Sequence, residues 1–196
     1  MRMATMEQIK ALREKTGAGI VEVKKALEEA NGNEEAAIKI LRERGAAKAI
    51  KKTDREAKEG VVAIYLHSNG RVGAMVKLFC ETDFVARNAD FQALGRDIAM
   101  HVTAMNPLVV SPEGISVDAV EKERVIWIEQ LKQEGKPEEL AEKILAGKEK
   151  KFRDENALLS QAFVKDPSKT VKDLLSEGVQ KIGENIQIGS FVRYEI

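Results

Sequence analysis

Apolar positions along the chain fall first into three short helical stripes, then into two β-textured runs, then into helical stripes again, and the chain ends on a β-textured tail. Met6, Ile9 and Leu12 trace the first stripe, closed by Gly17. Val23, Ala26, Leu27 and Ala30 trace the second, closed by Asn31-Gly32, a pair suited to the left-handed end of a helix. Ala37, Ile40 and Leu41 trace a third behind a cap at Asn33, with Glu34 and Glu35 where the helix dipole favours acids. Gly45 is expected to stop it. Residues 1–52 are thus expected to form a three-helix bundle, too small to be strongly stable alone. From Ala46 to Lys58 the only large apolar residue is Ile50, which predicts an exposed helical connector, with residues 53–59 as the linker.

Gly60 opens a different texture. Val61 to His67 and Arg71 to Cys80 read as strands around Ser68-Asn69-Gly70, so a tight hairpin is expected. Alternation puts Val76, Leu78 and Cys80 on one face, which makes Cys80 a packed core thiol rather than a nucleophile. Phe91, Leu94, Ile98, Val102 and Met105 then recur at helical spacing, with Asn88 placed as cap. Between residues 116 and 153 two charged amphipathic stripes, Val117, Val120, Ile128, Leu131 and then Leu140, Ile144, Phe152, flank Gly135-Lys136-Pro137. That pattern predicts an antiparallel helical hairpin, either lying on the core or projecting as an arm. A last helix is expected from Thr170 to Ile182, closed by Gly183, and Ile186 to Ile196 reads as a strand that adds to the hairpin's sheet. The fold class is α+β: a helical bundle at 1–52, then a core at 60–196 of antiparallel sheet packed with helices, with the helical hairpin 116–153 inserted.

Thr82-Asp83-Phe84-Val85-Ala86-Arg87-Asn88 is the stretch richest in candidate chemistry, because an acid and an aromatic stand side by side between a strand and a helix. Binding residues concentrate on such connections. Phe84 either folds back into the core or is presented for insertion into a partner.

Charge narrows the function. Lys plus Arg and Asp plus Glu each total 32, a net charge of zero, which disfavours direct nucleic-acid binding by phosphate neutralisation. One cysteine and two histidines leave little for a disulfide or a metal cage, and no metal or cofactor is expected. Met1-Arg2-Met3-Ala4-Thr5 leads into a charged helix, and no run approaches the ~18 apolar residues of a membrane span, so a protein of a reducing compartment without membrane contact is expected. Phosphate-loop, zincin and nucleophile-elbow patterns are absent; Gly17-Ala18-Gly19 follows a helix rather than a strand and reads as a turn. His67 reads as an exposed group near the hairpin turn and His101 as a half-buried structural histidine. His67, Cys80 and Asp83 have no evident reason to converge, so the chain reads as a binding protein without catalytic groups.

Leu12-Arg13-Glu14-Lys15-Thr16-Gly17-Ala18-Gly19, Lys24 to Ala30, Thr82 to Asn88, Gly135-Lys136-Pro137, Pro167-Ser168-Lys169-Thr170-Val171 and Phe191-Val192-Arg193-Tyr194-Glu195, in that order, make the sequence similar to the translation elongation factor Ts family over nearly its whole length. The resemblance implies a guanine-nucleotide exchange factor for the GTPase EF-Tu, acting in the cytoplasm, with a ubiquitin-associated-like N-terminal module. It implies that Thr82, Asp83, Phe84 and Val85 reach into the GTPase, disturb its Mg²⁺ and nucleotide site and weaken GDP binding. It further implies secondary contacts from His67, Arg13, Ile20 and Val21; the family often carries two methionines where this chain has Ile20-Val21, which keep the apolar character. Long members duplicate the core, whereas one copy fits here, so a homodimer holding two EF-Tu molecules is expected. Two other readings compete: a ubiquitin-type helical binding module fused to a scaffold domain, which leaves Thr82 to Asn88 unexplained, and a thiol enzyme using Cys80 with His67.

Overall fold

The computed structural model describes residues 4–134 and 137–196. The Gly135-Lys136 part of the expected hairpin connection and the first three residues of the chain lie outside them. Three helices open the fold: α1 (Met6–Thr16), α2 (Ile20–Glu29) and α3 (Glu34–Ile50). Their ends are set locally. Thr5 and Gln8 form a reciprocal capping box, and Gly17 leaves α1 at φ 67°. Asn31 and Gly32 turn the chain at φ 52° and 84°, and Asn33 accepts the Ala36 N–H at 3.0 Å. Ile9, Leu12, Val23, Ala26, Leu27, Ala37 and Leu41 close the bundle core, with Ile40 at its rim and Met6 exposed.

Gly45 does not end α3, which runs on to Ile50. Glycine inside a helix costs about 1 kcal/mol relative to alanine, and the reason for it here is tertiary. α8 (Val171–Ile182) lies against this turn, and a Cβ on Gly45 would displace the carboxamide end of the flexible Gln180 side chain. The expected helical linker at 53–59 is likewise corrected. Residues 51–55 form turns, and Glu59 already belongs to a strand. The carbonyls of Thr53 and Arg55 are taken by the Asn185 side-chain amide, at 3.3 and 2.7 Å, instead of by helical N–H groups.

Strands β1 (Glu59–Leu66), β2 (Val72–Cys80) and β5 (Gln187–Glu195) form an antiparallel sheet in the order β1-β2-β5, so the terminal strand does join the hairpin's sheet and β2 is central. Ala74, Val76, Leu78 and Cys80 face α5 (Ala89–Met105) and α8. Phe91, Ile98 and Val102 of α5 complete this core, while Met105 is 45% exposed. Gly95 allows the approach: a Cβ there would stand 2.8 Å from that of Ala63. On the other face the register aligns Ile64 with Met75 and Val192, and Leu66 with Gly73 and Tyr194. The side chains of these two rows are exposed, Ile64 by 60% and Tyr194 by 72%.

Between α5 and α8 come the helical hairpin α6 (Val117–Gln133) and α7 (Glu138–Asn156), and then a small two-stranded hairpin, β3 (Ala162–Phe163) and β4 (Asp166–Thr170). The sequence pattern carries no mark of this second hairpin. Ser116 caps α6, and the α6–α7 pair has its own core of Trp127, Leu131 and Leu145, with Trp127 edge-on to Phe152 at 5.9 Å. Val117 and Leu140, expected on the apolar stripes, point outward. Arg153 ties the root of the hairpin to the carbonyls of Pro112 and Ile115 at 3.3 and 3.1 Å.

His101 is fully buried, rather than half-buried as expected. Its Nδ1 accepts the Val164 N–H at 3.1 Å and its Nε2 meets Gln161 Oε1 at 3.0 Å, which fixes a neutral ring with the proton on Nε2. Burial lowers its pKa below 6.5, with the Gln161 contact opposing. The unfolded chain therefore binds the extra proton first, and stability present above about pH 6.5 is lost on acidification, at no more than about 1.4 kcal/mol per pH unit. The melting temperature is expected to fall between pH 7.5 and 5.5, and His101→Gln to flatten that slope in thermal scans.

Candidate functional site

β2 ends at Cys80, and the chain leaves the sheet at Glu81-Thr82 to form a one-turn helix, α4 (Asp83–Ala86). Asp83 and Phe84 thus sit in a helical turn rather than an irregular connection. Thr82 is the N-cap: its Oγ1 accepts the Val85 N–H at 3.4 Å. Asn88 caps the following helix α5, its side chain accepting the Asp90 N–H at 2.8 Å. Helical geometry sorts the four residues of α4. Ala86 is buried and Val85 packs against the main core, whereas Phe84, about 200° around the helix from Ala86, is 80% exposed. Asp83 Oδ2 pairs with Arg87 at 3.1 Å, yet its side chain stays 47% exposed. The turn therefore presents one aromatic ring and one accessible carboxylate side by side.

A carboxylate from the far end of the chain holds this turn from below. Glu184 Oε2 accepts the N–H groups of Glu81 and Thr82, each at 3.0 Å, and its Oε1 accepts the Thr82 hydroxyl at 2.7 Å. Sequence reasoning missed this group, because a lone acid beyond a helix end carries no signal of its partner.

The secondary residues lie apart. His67 is exposed just beyond β1, with Nδ1 3.3 Å from the Tyr65 hydroxyl. Leu66 pairs with Gly73, seven residues along β2 from Cys80, so His67 and the tip stand at opposite ends of the sheet, about 23 Å apart. Arg13 lies in a groove between α1 and the α5/α8 surface that also contains Asp90, Asp97, Glu177 and Lys181. Ile20 and Val21, the first two residues of α2, are 50% and 66% exposed.

That separation removes the thiol-enzyme reading. Cys80 is fully buried and its thiol donates to the Thr82 carbonyl at 3.2 Å. Burial, and next the charge of Glu184, push its pKa up to about 11. A thiolate is the reactive form. Cys80 is expected to resist iodoacetamide at pH 8 in the folded protein and to label fully after denaturation, as read by mass. Among the described residues no group of His, Cys, Asp or Glu is arranged to hold a metal ion, and no helix is long and apolar enough to cross a membrane.

The comparisons with known proteins point one way. A family model described as elongation factor TS matches residues 3–196. Elongation factor Ts of Thermosipho melanesiensis is 52% identical over 194 residues, 99% of each chain. The proteins of the same name from Fervidobacterium nodosum and Acetivibrio thermocellus are 51% and 52% identical, over 97% and 98% of this chain and 96% and 90% of their own.

Proposed function

This chain belongs to the elongation factor Ts family, the nucleotide exchange factors of translation elongation, and we propose that its exposed tip is the part that acts on the nucleotide. Thr82, Asp83, Phe84 and Val85 insert into EF-Tu·GDP, disturb its Mg²⁺ and nucleotide site, and promote GDP release. The observation that carries this is Phe84: a large ring 80% in water on a turn anchored from beneath. Exchange needs no catalytic group of its own. By linkage, a protein that binds the nucleotide-free GTPase more tightly than the GDP form lowers GDP affinity by the same factor.

Arg13, Ile20, Val21 and His67 extend the contact. The bundle, 1–52, and the core, 60–196, act as two units. Their buried clusters share no residue, and the two meet where Ala49 of α3 packs against the core cluster. The open sheet face pairs two copies around a two-fold axis, giving a homodimer that holds two EF-Tu molecules. Its support is the apolar rows Ile64–Met75–Val192 and Leu66–Tyr194, left in water on a single copy. The site of action is the cytoplasm, and no nucleic acid, cofactor or membrane takes part.

The test is release of a fluorescent GDP analogue from purified EF-Tu, with this protein, with Asp83→Ala and with Phe84→Ala. Acceleration by the intact protein that drops in both variants is expected. Parental release rates in both would take the tip out of the mechanism. No acceleration by the intact protein, together with capture of a ubiquitin-like partner, would favour the helical binding-module reading.

A further inference from the structure

Exposed tips need a foundation, and α4 cannot supply its own. Four residues are far short of the length at which a helix holds itself together in water. What fixes α4 is the core under Val85 and Ala86, and beside it the Glu184 carboxylate. We infer that Glu184 is a positioning residue for exchange: it acts through Thr82 to hold Asp83 and Phe84 in the geometry in which they insert. The inference rests on the assignment of Thr82–Val85 as the inserting tip.

The geometry is specific to a carboxylate. Oε2 receives two N–H donors and Oε1 one O–H donor, so both oxygens act only as acceptors. The Thr82 hydroxyl, donating its hydrogen bond to Glu184, is oriented to accept the Val85 N–H that begins α4. One side chain therefore sets the backbone at Glu81-Thr82 and the rotamer of the cap. Gly183, left-handed at φ 93°, turns the chain out of α8 so that Glu184 reaches the tip. The neighbouring Asn185 braces the same junction. Its N–H donates to Glu81 Oε1 at 2.6 Å, and its side chain holds the Thr53 and Arg55 carbonyls. Arg55 also faces Glu81 at 3.6 Å, and Lys52 donates to the Gly183 carbonyl. The segment that follows the bundle is thereby fastened to the base of the tip.

Glutamine at 184 keeps the size and one acceptor, but its amide N–H₂ either faces the two backbone N–H donors or obliges the Thr82 hydroxyl to accept where it had donated. The tip then has to be ordered during insertion rather than beforehand, and that cost falls on exchange. Glu184→Gln is expected to slow factor-promoted GDP release from EF-Tu about tenfold. In the free protein, amide hydrogen exchange at Thr82 and Val85 should accelerate, while the β2 amides stay protected. The deciding measurement is the double variant Glu184→Gln/Phe84→Ala. If Glu184 acts through the tip, the double variant loses clearly less than the product of the two single losses, because only Asp83 is left to position, whereas a general structural role makes the two losses multiply. Multiplied losses, a parental release rate in Glu184→Gln, or unaltered exchange at Thr82 and Val85 would each overturn the inference. A Phe84→Ala protein with parental release would instead take down the tip assignment, and amide exchange would still report whether Glu184 orders the turn.

Discussion

Phe84→Ala is expected to slow GDP release promoted by this protein by roughly 10–100-fold while leaving its thermal unfolding nearly unchanged. The two halves of that statement come from one fact, that the ring is 80% exposed in the free protein. Removing an exposed side chain takes little from the folded state, since substitutions away from packed or capped positions stay within about 0.5 kcal/mol. Inserted into a partner, the same ring is worth about 1.5–3 kcal/mol of burial, which at about 1.4 kcal/mol per decade gives the factor above. Binding that stabilises the GDP form and the nucleotide-free form equally would not promote release, so the loss should appear in the release rate at saturating factor. A variant that merely needs more protein to reach the parental maximum would show that Phe84 contributes affinity and not exchange. A large drop in melting temperature would show that the ring packs on its own chain in solution.

Much of the fold was legible because its punctuation is local. Thr5, Asn33, Asn88, Ser116 and Thr170 each cap a helix through their own side chains, and Gly17, Gly32 and Gly183 leave helices in left-handed conformations. The alternation in β2 gave its buried face directly. What the sequence hid depends on residues far apart along the chain. Gly45 has the same letter as Gly17, and only the packing of α8 against it makes it an interior glycine. His101 became fully buried because the residues on either side of β3 cover it, Gln161 just before the strand and Val164 just after it. The tip divides the same way. Thr82 to Asn88 stood out as a motif, but whether Phe84 turned inward depended on which face of a one-turn helix the core claimed, and Ala86 and Val85 claimed it. Glu184, about a hundred residues later, had no local mark at all.

The open face of the sheet leads to the other large effect. Ile64→Asp combined with Val192→Asp is expected to convert a dimer into a monomer with its fold intact. Both side chains are exposed on a single copy, by 60% and 45%, and both flank Met75 in one row of the register. A lone chain can hydrate the new carboxylates there at little cost. In a two-fold interface each substitution occurs twice, and the pair of faces would bury four like charges. Burying an unpaired ion costs several kcal/mol, so dissociation should strengthen by at least about 10³-fold. Sedimentation equilibrium reads the result: the parental protein at twice its 21.7 kDa chain mass, the variant at one. A parental protein that stays monomeric at tens of micromolar would remove the dimer, and a variant that stays dimeric would move the interface away from this face. If the monomeric variant still releases GDP through Phe84, pairing contributes to how many EF-Tu molecules are held and not to how each one is opened, because the tip leaves β2 at Cys80, at the end of the sheet remote from the Leu66–Tyr194 row.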